Sequence, residues 1–141
     1  MAASKPLAQL SCNVRGISPG TTWLRWAFPM PLTKQQVFDK VWERAKVKKR
    51  SLNSEGSCSY RVVDGPPCFI GACIPDAQYR PEIERQGVYG LAWEGLLPDS
   101  LDPRDVEFLA KLQSIHDTQD PPEWEDRLMQ LAFDYDLLIP E

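Results

Sequence analysis

A single histidine, His116, stands in a chain of 141 residues, and no apolar run approaches the roughly 20 residues of a membrane-spanning helix. The four cysteines contain no CxxC or CxxH pair, the closely spaced ligands on which structural zinc sites are built. A glycine-rich phosphate loop, a GxSxG elbow and an HExxH motif are also missing. Acids are absent from residues 1–29, which also lack the compact apolar core of a signal peptide. These gaps leave no expected metal or cofactor. They place the chain in the cytoplasm, where unpaired cysteines stay reduced.

What is present is unevenly distributed. Residues 1–50 carry ten Lys/Arg against Asp39 and Glu43, whereas residues 51–141 carry six against eighteen Asp/Glu, within a net charge of −4. Such a split suits an oriented interaction surface. The length is that of one domain, and thirteen prolines imply short elements joined by stiff turns.

Residues 1–29 read as an N-terminal extension, either a hairpin turning at Ser18-Pro19-Gly20 or a partly disordered basic tail; Trp23 and Trp26 within it suit an interface or a core. Residues 30–141 read as one domain. Thr33 and Gln36 form a capping box, and Leu32 and Val37 a hydrophobic staple. The apolar positions Val37, Phe38, Val41, Trp42 and Ala45 then predict a helix over 34–49, ending in Lys46, Lys48, Lys49 and Arg50 beside the negative helix pole. "SCSYRVV" predicts a strand of a hairpin closed at Asp64-Gly65. "PPCFIGACI" predicts a short buried helix stopped by Pro75. "VYGLAWEGLL" predicts a core helix. Asp102-Pro103 and Asp120-Pro121 open helices over 103–118 and 121–136; Trp124, Leu128, Leu131, Ala132 and Tyr135 line the last one. The expected class is α+β, a small, mostly helical domain with a short β-hairpin and a short buried central helix.

Three functions compete. In the first, the acidic face bearing Glu123, Glu125 and Asp126, together with the basic helix end, makes a non-enzymatic binding protein. In the second, Cys68 or Cys73 is the nucleophile of a thiol-dependent hydrolase or transferase with His116 as base. Cys68 would then lie near a helix N-terminus that lowers its pKa, while Asp117, next to His116 in sequence, points to another side of the helix and orients it poorly. In the third, Lys46, Lys48, Lys49 and Arg50, extended by Arg44 and Lys40, contact nucleic-acid phosphates. Without a nearby base, the thiols read as buried packing groups: Cys68 and Cys73 anchor the central helix, and strand register decides where Cys58 points.

The order of "LTKQQVFDKV", "CSYRVVDGPPCFIGACIPDAQYRPEIE", "EGLLP" and "LAKLQSIHD" over residues 31–118 resembles a group of small bacterial and bacteriophage proteins. The chain departs from that group in its front extension and in Pro67 before Cys68. The resemblance implies a compact domain with no assigned reaction. It points to a phage- or mobile-element-encoded regulator acting on a host protein, such as transcription or defence machinery.

Overall fold

A computed structural model describes residues 30–141; the extension over 1–29, with its expected hairpin or tail and Trp23 and Trp26, lies outside the described residues. Among the described residues four α-helices alternate with short 3-10 turns: α1 (Lys34–Ala45), α2 (Val88–Glu94), α3 (Val106–Thr118) and α4 (Trp124–Asp134). Among the described residues there is no strand or hairpin, only an isolated antiparallel bridge between Leu52 and Cys58. The fold is helical, and the α+β expectation is overturned.

The expected hairpin fails because its donors are taken elsewhere. The backbone N–H groups of Tyr60 and Arg61 both donate to the Glu84 carboxylate, at 2.9 and 3.1 Å, so a side chain stands where a neighbouring strand would. Pro66 and Pro67 have no N–H to offer a ladder. Asp64 does turn the chain, with φ 59°, but between irregular segments. The buried central helix is likewise reduced to one 3-10 turn, Gly71–Cys73. Pro75 pushes Ile74 into extended backbone at φ −106° and ψ 114°, which ends the turn.

α1 begins as its capping box predicts: Thr33 Oγ1 accepts from the Gln36 N–H at 3.1 Å, and Gln36 Oε1 accepts from the Thr33 N–H at 2.9 Å. It stops at Ala45, four residues short of the expected end. The buried Arg44 guanidinium causes this, donating to the carbonyls of Val47 at 3.0 Å, Lys49 at 2.6 Å and Pro67, and so folding the chain back over the helix end. Lys48, Lys49 and Arg50 therefore follow the helix rather than form its last turn.

α3 packs between α2 and α4, while α1 lies on α4 and on the 3-10 turn. Phe69, Leu91, Phe108, Leu112, Trp124 and Leu128 fill the core where these elements meet. Each such burial is worth about 1.5–3 kcal/mol relative to exposure. The central cluster is aromatic. His116 stacks on Trp124 with ring centroids 5.4 Å apart, Phe69 meets Trp124 edge-on at 4.8 Å, and the Arg44 guanidinium lies 5.7 Å from the Trp124 ring.

No helix among the described residues is long and apolar enough to cross a membrane.

Candidate functional site

The aromatic cluster holds the only histidine, and its partners decide what that histidine can do. The Ser51 N–H donates to His116 Nε2 at 3.1 Å, so Nε2 is the bare nitrogen of a neutral ring. Nδ1 therefore carries the proton, and this N–H donates a hydrogen bond to Asp117 Oδ1 at 2.8 Å. The side chain of His116 is fully buried. Contrary to expectation, the adjacent carboxylate does orient the imidazole. α3 is in its last turn there, and Asp117 bends back along the helix end to reach the ring.

The thiol beside this pair is Cys58. Cys58, His116 and Asp117 each offer one ligand atom within 4.8 Å of the others. Burial, then the negative charge of the neighbouring Asp117 carboxylate, pushes the Cys58 thiol up to about 11. The thiol is thus held protonated, and the bare His116 nitrogen that could serve it as a base is already taken by the Ser51 N–H, so the trio lacks a working nucleophile and base. A metal ion fits the trio no better. Histidine ligands donate their far N–H to a neighbour, whereas here the far nitrogen already accepts one from Ser51.

Cys68 and Cys73 are farther from reactivity. Burial pushes both thiols up to about 12. The Gly71 N–H donates to Cys68 Sγ at 3.2 Å, and Cys73 Sγ faces the Val37 and Phe69 carbonyls at 3.8 and 3.7 Å. They anchor the 3-10 turn against α1, in line with the packing role expected of them, and neither touches a free base. Cys58, Tyr60, Glu84, Gln113 and Asp117 line a cleft of about 220 Å³. The carboxylate of Glu84 is occupied there by the Tyr60 and Arg61 N–H groups and by the Tyr79 hydroxyl at 2.6 Å.

The predicted basic patch is divided. Arg50 donates to the carbonyls of His116 at 3.3 Å and Gln119 at 2.7 Å, so it caps the C-terminus of α3. Lys46 pairs with Glu43 at 3.2 Å, and Lys48 and Lys49 are exposed. Arg44, counted with this patch from sequence, is core. On the acidic side, Glu123, Glu125 and Asp126 are all exposed at the start of α4, with Glu123 3.9 Å from Arg127. Of the basic set, Arg50 also lies 3.5 Å from Asp120, at the entry to α4.

Sequence reading missed the exposed apolar groups. On α2, Val88 and Leu91 face the core, but Trp93 is 91% exposed and Tyr89, one turn earlier, 57%. On α4, Phe133 is 82% exposed and Met129 43%. The signal for α4 was present: Met129 and Phe133 fall outside the apolar stripe that the 3.6-residue period draws through Trp124, Leu128 and Leu131. No protein-family model, curated protein or solved structure matches this chain.

Proposed function

We propose that the protein is a non-enzymatic binding protein that modulates a host protein by surface contact, and that it is phage- or mobile-element-encoded and works in the host cytoplasm. The observation that carries this is Trp93, 91% exposed on a regular helix whose opposite face is buried in the core. Tryptophan dominates the hot spots of protein interfaces, and the neighbouring Tyr89 and Leu96 extend the same surface. A fully wetted indole on an ordered helix gains nothing for folding.

Three further points support the reading over thiol chemistry and over phosphate binding. Neither His116 nitrogen is free to act as a base, the buried thiols are held protonated, and Arg50 is engaged at a helix end. The proposed likeness of residues 31–118 to small bacterial and bacteriophage proteins supplies the setting of a regulator acting on host machinery.

The test is a photo-crosslinking residue at position 93 in the full chain, exposed to host lysate with and without nuclease. A discrete protein adduct that survives nuclease, with about tenfold weaker capture for Trp93→Ala, is the expected result. An activity that dies with Cys68→Ala in a folded protein would overturn the reading.

A further inference from the structure

We infer that the solvent face of α4 is a second docking surface, independent of Trp93, and that its ligand is a basic amphipathic helix. Trp124, Leu128, Leu131 and Ala132 take the buried side of α4. Met129 and Phe133, four residues apart and so one turn or about 6 Å along the axis, stand together on the opposite side. Glu125 and Asp126 flank this apolar step from the N-terminal side, Asp134 and Asp136 from the C-terminal side, all of them exposed. Among the described residues neither Glu125 nor Asp126 has a cationic partner, because Arg127 turns to Glu123 at 3.9 Å.

Folding explains only part of this pattern. Acids in the first turn of α4 are favourable beside its positive pole, but Asp134 in the last turn and Asp136 just beyond it sit at the negative pole, where a cation is favoured and the helix has none. An 82% exposed Phe133 between such acids adds nothing to the core. Both features suit a ligand that supplies the missing charge and covers the apolar step.

Complementarity sets the chemistry of that ligand. It carries Lys or Arg opposite the acids, with apolar side chains at i, i+3 or i+4, and i+7 to lie along Met129 and Phe133. The same acids repel nucleic acid and anionic lipid.

The experiment uses the full chain and a labelled 18-residue peptide with Leu at helical spacing and Lys elsewhere. It is compared with a peptide of identical composition whose leucines are scrambled out of register, and binding is read by fluorescence anisotropy. The amphipathic peptide should bind at least about tenfold more tightly than the scrambled one. Phe133→Asp should weaken it by about tenfold, Glu125→Lys should weaken it and reduce its salt dependence, and Trp93→Ala should leave it unchanged. Phe133 and Glu125 are surface groups, and circular dichroism confirms that each variant is folded. Equal binding of both peptides, which would mean attraction by charge alone, overturns the inference. So does full binding by Phe133→Asp, or no binding by the amphipathic peptide. A failure here leaves the adduct at position 93 intact, and a failure there leaves the α4 variants readable.

Discussion

The segment from Cys58 to Gln86 and the helical pair α3–α4 bury side chains equally well, but their backbones are held in different ways. In α3–α4 the peptide groups bond locally, residue to residue along each helix, and the side chains need only pack. In the cysteine-bearing segment the peptide groups reach distant side chains. Glu84 takes the N–H groups of Tyr60 and Arg61, Arg44 takes the Pro67 carbonyl, and Arg61 donates to the Ile74 carbonyl at 2.5 Å. The segment's short turns are closed by local bonds, such as that from the Ala72 N–H to the Cys68 carbonyl, but those turns are tied to one another through these long-range side chains. The lesson is that a change to one polar side chain should be absorbed in the helical pair and felt throughout the segment.

The most severe way to break this comparison is Gly71→Ala. A Cβ at Gly71 would overlap the Tyr60 carbonyl oxygen and press on Pro67, with backbone rather than a flexible side chain in the way. Overpacking against an immovable group should cost more than about 3 kcal/mol, read as a collapse of the urea midpoint or as loss of soluble protein. An unchanged midpoint would mean that the 3-10 turn is far looser than its contacts indicate.

Glu84→Gln set against Glu123→Gln sharpens it. The first replaces a carboxylate accepting two backbone N–H groups and the Tyr79 hydroxyl with an amide that can accept through one oxygen only. It should destabilise by about 2 kcal/mol. The second alters an exposed acid whose only ion-pair contact among the described residues is at 3.9 Å, and should stay within about 0.5 kcal/mol. Equal losses in paired denaturation curves would remove the distinction between the two regions.

The smallest effect has the opposite sign. α4 ends in a Schellman arrangement in which the Leu137 N–H bonds to the Ala132 carbonyl at 2.8 Å and Asp136 takes the left-handed position at φ 58°. α2 ends in the same way with Gly95 at φ 72°. Asp136→Gly relieves the Cβ strain of that conformation and should raise stability by about 0.5 kcal/mol, a gain of a few degrees in thermal midpoint. A glycine change that ruins one region thus improves the other.

The fold was legible where structure is local. The Thr33–Gln36 capping box, the prolines at the entries to the last two helices, and the apolar stripe through Trp124, Leu128 and Leu131 all depend on neighbours within four residues, and each element formed. Legibility failed where a distant group intervened. The helix through residue 49 was cut short by Arg44 reaching Pro67, 23 residues away. The strand expected over residues 57–63 lost the Tyr60 and Arg61 donors to Glu84, which no periodicity could announce. In the candidate site, the acids of α4 were visible as a polar face, but the exposed Phe133 and Trp93 read as ordinary hydrophobic residues until their surroundings were known.

By itself the sequence determined where the four helices of the described residues lie, the caps at Thr33 and Asp102 and the acidic character of the C-terminal half, because hydrogen bonds and side-chain spacing within one helix are set by residues already adjacent in the chain. The tertiary structure alone decided that Cys58, rather than Cys68 or Cys73, lies beside His116, that the imidazole is closed by Ser51 and Asp117, and that Arg44 and Arg50 serve the fold. These outcomes rest on buried polar groups finding partners far away in sequence. Burial makes an unpaired group costly but does not say in advance which partner will be within reach.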